Sequence, residues 1–100
     1  MENFRTLKLA KLVYQDLESV RLPSYARNQL RRAAYSVVLN LAEGNGYKSQ
    51  LQRRKFFEIA YGSAQELKHG LSVFTCGMKL TNEVDALCAH LYNLKRWAPS

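Results

Sequence analysis

The stretch Gln29–Leu67, QLRRAAYSVVLNLAEGNGYKSQLQRRKFFEIAYGSAQEL, decides the fold of this 100-residue chain. It reads as two long helices back to back across a short corner. In the first arm Leu30, Ala34, Val37, Leu41 and Gly44 recur at spacings of 4, 3, 4 and 3, which places them on one helical face. In the second, Phe56, Ala60, Ser63, Leu67, Gly70 and Phe74 continue the same alternation over five intervals. Between the arms, Asn45-Gly46-Tyr47-Lys48 is a turn, because Asn and Gly tolerate the left-handed backbone that commonly ends a helix. Ser49-x-x-Gln52 then fits the capping box that opens the next helix.

Several polar residues fall on or beside these stripes. Asn40 and Glu43 lie near the end of the first arm, and Ser63 and Glu66 lie inside the second. Burying a neutral polar group without a partner costs roughly 2–7 kcal/mol, and a charge costs more. Asn40, Glu43, Ser63 and Glu66 are therefore expected to satisfy one another as a structural network that fixes the register of the two helices. An acid–base pair of carboxylates is the competing reading, but no nucleophile with a base accompanies it. Gly62 and Gly70 each cost a helix about 1 kcal/mol relative to alanine, which predicts close helix approach at both.

Outward from this core, Leu7, Ala10, Tyr14 and Leu17 mark a first helix over 4–20, with Leu9, Leu12 and Val13 widening its apolar stripe. Arg5, Lys8 and Lys11 gather on or near its polar side. Pro23 breaks that helix, and Ser24 is the expected N-cap of the next, over 25–44. The third helix is expected over 50–76, ending at Cys76-Gly77. Thr81 or Asn82 should cap a fourth over 82–96, whose stripe is Val84, Leu87, Leu91 and Leu94 and whose end is marked by Trp97 and Pro99. The expectation is an all-α, single-domain chain over 1–100, folded as an up-down-up-down four-helix bundle.

The formal charge is +7, with its excess confined to one region. Between Arg21 and Lys55 there are eight basic residues against Glu43 alone, whereas the remainder is balanced. An anionic partner would select such a distribution, nucleic acid first. The candidate contacts are Arg27, Arg31 and Arg32 on the second helix and Lys48, Arg53, Arg54 and Lys55 at the start of the third, with Tyr25, Tyr35 and Tyr47 nearby for stacking. Arginine forks suit phosphate, and no base-reading motif is present, so binding of RNA or DNA would be directed at the backbone.

Other chemistry finds little support. Glu66-x-x-His69 has the spacing of a di-iron ligand pair, but the second copy that such a bundle requires is missing, since Leu87 stands where His90 would need its glutamate. No metal, cofactor or catalytic residue is expected. Cys76 and Cys88 read as reduced, half-buried thiols. The amino-terminal apolar stretch is interrupted by Lys8 and Lys11 and reads as neither a signal peptide nor a membrane span, which predicts a cytoplasmic protein with no membrane partner.

Asn40-Leu41-Ala42-Glu43-Gly44 and Ala60-Tyr61-Gly62-Ser63-Ala64-Gln65-Glu66-Leu67 carry a resemblance. They resemble the N-I-A-E-G and F-x-x-x-A-x-G-S-x-x-E-L pattern of a bacterial four-helix bundle family. Gln29, Arg32 and Ala33 match its preceding Q-x-x-R-A segment. The family comprises proteins of ribosomal RNA intervening sequences and the accessory variability proteins of diversity-generating retroelements. Tyr47 departs from the basic residue usual after the corner glycine. The resemblance implies a ring-like homo-oligomer, pentameric in relatives. In the retroelement branch it also implies an accessory protein that binds nucleic acid and a reverse transcriptase during cDNA synthesis. The alternative it leaves is a protein-interaction or structural bundle with no nucleic-acid role.

Overall fold

A computed structural model describes residues 2–96. They form four helices, α1 (Glu2–Leu17), α2 (Ser24–Asn45), α3 (Gln50–Leu71) and α4 (Met78–Arg96), with no strand among the described residues. Trp97 and Pro99, the expected end of the last helix, lie outside them.

Contacts across the helix pairs reverse in sequence order. Gly44 meets Phe57, Ser36 meets Ser63 and Leu30 meets Gly70, so α2 and α3 run antiparallel. Tyr14 against Tyr35 and Arg31 against Glu18 give the same sense for α1 and α2. Lys68 with Asp85 and Tyr61 with Tyr92 give it for α3 and α4. Each helix thus packs on two neighbours, with α1 closing the ring onto α4.

The core stripe of α2 is the expected one: Leu30, Ala34, Val37, Leu41 and Gly44 are all buried. In α3 the stripe is turned by one residue. Phe57, Ala60, Ala64, Leu67 and Leu71 are buried, whereas Phe56, Ser63 and Gly70 are only half-buried, as is Phe74 beyond the end of the helix. Two interleaved series share Ala60 and Leu67, and a helix wedged between two neighbours gives the bundle axis to the more apolar one. The other series becomes the flank facing α2, where Ser63 meets Ser36 and Gly70 receives Leu30. A similar turn occurs in α1, whose buried positions are Thr6, Ala10, Val13 and Leu17, with Thr6 Oγ1 lying 3.3 Å from His90 Nδ1 on α4.

The connections differ from expectation at four places. Among the described residues none has positive φ; Gly46 is right-handed at φ −82°, and its N–H and that of Tyr47 take the carbonyls of Glu43 and Gly44. The corner thus overruns α2 by a right-handed turn instead of reversing hand. Pro23, not Ser24, occupies the N-cap position of α2, without a side-chain cap. Ser49 does cap α3, accepting from the Gln52 N–H. α3 ends at Leu71, where Ser72 Oγ donates to the His69 carbonyl at 2.6 Å. α4 starts a turn before Thr81, whose N–H bonds to the Gly77 carbonyl, and this early turn buries Leu80 in the core.

Candidate nucleic-acid interface

The seven candidate basic residues do not form one patch. Arg27 reaches back from the first turn of α2 to the carbonyls of Leu17, Glu18 and Val20 at the end of α1. A helix terminus leaves its last carbonyls without intrahelical donors, and this guanidinium supplies them. Arg31 makes a two-pronged pair with Glu18, at 3.0 and 3.1 Å. Both are engaged at the α1–α2 connection, at the far end of α2 from the corner. Arg32 is exposed, but it stands 14 residues before Gly46, about 21 Å along α2.

Lys48, Arg53, Arg54 and Lys55 remain together at the corner. Lys48, Arg54 and Lys55 are exposed and make no ion pair among the described residues. Arg53 is half-buried, its guanidinium 5.9 Å from the centre of the Phe57 ring. No acidic residue occupies the first turn of α3, so the positive end of that helix dipole adds to the four cations. Glu58 lines the same outer surface one turn beyond Arg54 and Lys55, exposed and in no ion pair among the described residues. Tyr47 stacks on Phe56, with centroids 5.2 Å apart and planes 9° from parallel, so a flat aromatic surface sits beside the cations. Of the other tyrosines, Tyr35 leans on Tyr14 and Tyr25 stands at the opposite end of α2. Sequence reasoning placed Tyr47 here but missed its pairing with Phe56, which the expected core position of Phe56 concealed.

The proposed polar network is smaller than its four members. Ser36 Oγ and Ser63 Oγ are 2.7 Å apart, and Asn40 Nδ2 donates to the Ser36 carbonyl at 2.8 Å and to Ser36 Oγ at 3.2 Å. Glu66 is exposed and accepts from Gln29 Nε2 at 2.8 Å. Glu43 is exposed and takes no part. Because α3 is turned by one residue, this polar row lies on the outer seam of α2 and α3, where water satisfies a carboxylate without a protein donor. Gly62 is exposed: a Cβ there would meet nothing within 4 Å, so close approach is not its reason.

Elsewhere, Asp16 and Glu83 bring two carboxyls together between α1 and α4, with Lys79 Nζ 3.5 Å from Asp16 Oδ2. Burial first, then the hydrogen bond and charge of Asp16, push the Glu83 carboxyl above the usual range, and Lys79 opposes the rise. Burial raises both thiols, of Cys76 and of Cys88, and the two are not bonded to each other. No three His, Cys, Asp or Glu side chains among the described residues are grouped to hold a metal ion. No helix among them is long and apolar enough to cross a membrane.

Four amphipathic helices around one core, with a cationic corner between the second and third, define a small all-α bundle. The match to a family model is specific: residues 5–97 fit that of the 23S rRNA-intervening sequence protein, and the chain belongs to this family. Comparison with curated proteins and with solved structures gave no match.

Proposed function

We propose that this is a non-enzymatic accessory protein that binds RNA or DNA through the sugar-phosphate backbone and scaffolds a protein partner. A retroelement reverse transcriptase engaged in cDNA synthesis is the candidate partner, and the cytoplasm is the place of action. In this reading the up-down-up-down bundle assembles into a ring, a pentamer by resemblance, which multiplies weak corner contacts by avidity. The observation that carries it is the corner: Lys48, Arg54 and Lys55 stand exposed and unpaired around the amino terminus of α3, beside the Tyr47–Phe56 stack. Point charges and a flat ring suit a phosphate chain with accessible bases and need no particular sequence.

The test is binding of labelled RNA and DNA oligonucleotides across a salt series, with mass by light scattering on the same sample. Affinity should fall steeply with salt for unrelated sequences, and K48Q/R54Q/K55Q should lose it while melting normally. A folded protein that ignores both nucleic acids at low salt would end this reading. A second reading, a protein-interaction bundle, is favoured by the opposite end, where Tyr25 and Val73 are 74% and 75% exposed around an open apolar groove shared with Leu30, Gly70 and Phe74. Tight capture of one protein without nucleic acid would select it.

A further inference from the structure

Arg5, Lys8 and Lys11 follow one another at three-residue spacing on α1, so they rise along one face in steps of about 4.5 Å. All three are exposed, and they line a groove with Leu12, Gln15 and His90 of α4. No carboxylate lines it among the described residues. Arg5 has an interaction of its own, so Lys8 and Lys11 are the cations the groove offers. At the other end Arg31, Lys68 and Lys79 are each matched by a carboxylate, Glu18, Asp85 and Asp16 respectively, while Arg21 is exposed and in no ion pair among the described residues.

The groove also lies at the same end as the corner. Tyr14 packs against Tyr35 and the two helices are antiparallel, so α1 runs from that contact towards its amino terminus beside the carboxy-terminal half of α2. Lys11 and Lys8 therefore lead up to the end of the bundle that carries Lys48, Arg54 and Lys55. Arg96 at the end of α4 is exposed at this end too.

We infer that the α1–α4 groove is a second phosphate-contacting site, in which Lys8 and Lys11 hold the continuation of a nucleic-acid strand that crosses the end of the bundle from the corner. This rests on the nucleic-acid reading and extends it to a defined path. The bundle is 22 by 18 Å across, and the stripe from Arg5 to Lys11 adds about 9 Å. At about 3.4 Å per stacked nucleotide the path spans roughly nine nucleotides, within the range of known single-strand sites. A four-nucleotide strand reaches one site only.

The experiment compares four- and twelve-nucleotide single strands on the wild-type protein, on K8Q/K11Q and on K48Q/R54Q/K55Q. The expected result is that K8Q/K11Q leaves the short strand unaffected but weakens the long one. Two lost phosphate contacts lower the log–log salt slope by about 1.4, so the affinity drop between 50 and 200 mM salt becomes roughly sevenfold smaller. Unchanged melting of K8Q/K11Q checks the fold. If K8Q/K11Q binds both lengths like wild type while the corner variant does not, the groove inference is overturned and the corner reading stands. If the wild type binds neither strand, both fall. If K8Q/K11Q loses poly-glutamate but keeps the long strand, the groove serves an acidic polypeptide and the inference is overturned.

Discussion

Replacing Gly44 and Gly62 by alanine, one at a time, separates helix propensity from packing within one protein. Both lie in helices, and alanine in a helix interior is worth up to about 1 kcal/mol over glycine. At Gly62 a Cβ meets nothing within 4 Å, so the gain is uncompensated and G62A should stabilise by about 0.5–1 kcal/mol. At Gly44 the Cβ would stand 2.7 Å from Phe57 Cε1, 3.0 Å from Phe57 Cδ1 and 3.3 Å from Phe56 Cβ. The Phe57 ring is buried in the core and Phe56 Cβ is fixed by its backbone, so neither yields cheaply. Overpacking of this kind costs about 1–3 kcal/mol. Propensity largely cancels in the comparison, leaving G44A below G62A by about that amount, or at least about 4 °C for a domain of this size. Thermal unfolding by circular dichroism reads it directly. Equal melting temperatures would refute the close packing of α2 on Phe57.

N40A should cost about 1 kcal/mol, since its bonds to Ser36 are half-buried, whereas E43A should leave the melting temperature unchanged; a large loss for E43A would restore the four-member network. R27Q should destabilise by about 1–2 kcal/mol by uncapping α1 while leaving oligonucleotide affinity alone, whereas R54Q should do the reverse, as unfolding and binding curves on the same preparations would show. Glu83 holds its proton more tightly folded than unfolded, so its contribution is complete below the ordinary carboxylate range and is lost as pH rises through its raised value. E83Q should therefore gain most at neutral and alkaline pH, so its melting temperature should exceed that of wild type by more at pH 8 than at pH 4.

Much of the fold was legible because hydrophobic period and helix breakers are local signals. The stripe from Leu30 to Gly44 and the Ser49 cap stand where the sequence places them. The face of α3 was not, because two apolar series share Ala60 and Leu67, and only the positions of both neighbours decide between Phe56 and Phe57. That one-residue turn carried Glu66 from presumed burial to solvent, while Glu43 stands exposed beside the expected stripe of α2. At the site, composition located the basic region, but the destination of each cation depends on partners far away in the chain. Arg27 meets carbonyls seven to ten residues earlier, and Arg31 meets Glu18. The cue for Arg27 was its position one turn after a helix break, within reach of the open carbonyls of the helix before it.

The uneven placement of matched and unmatched cations also bears on how the molecule meets a partner. Antiparallel helices cancel most of one another's dipoles, so side chains set the long-range field, and here that field is stronger at one end of the long axis. A polyanion at a distance of several Debye lengths feels little. Within about 10 Å at 0.1 M salt it exerts a torque that turns the corner forward before any contact forms. Productive collisions are thereby enriched without added contact area, and dilution of salt should raise the association rate more than it slows departure.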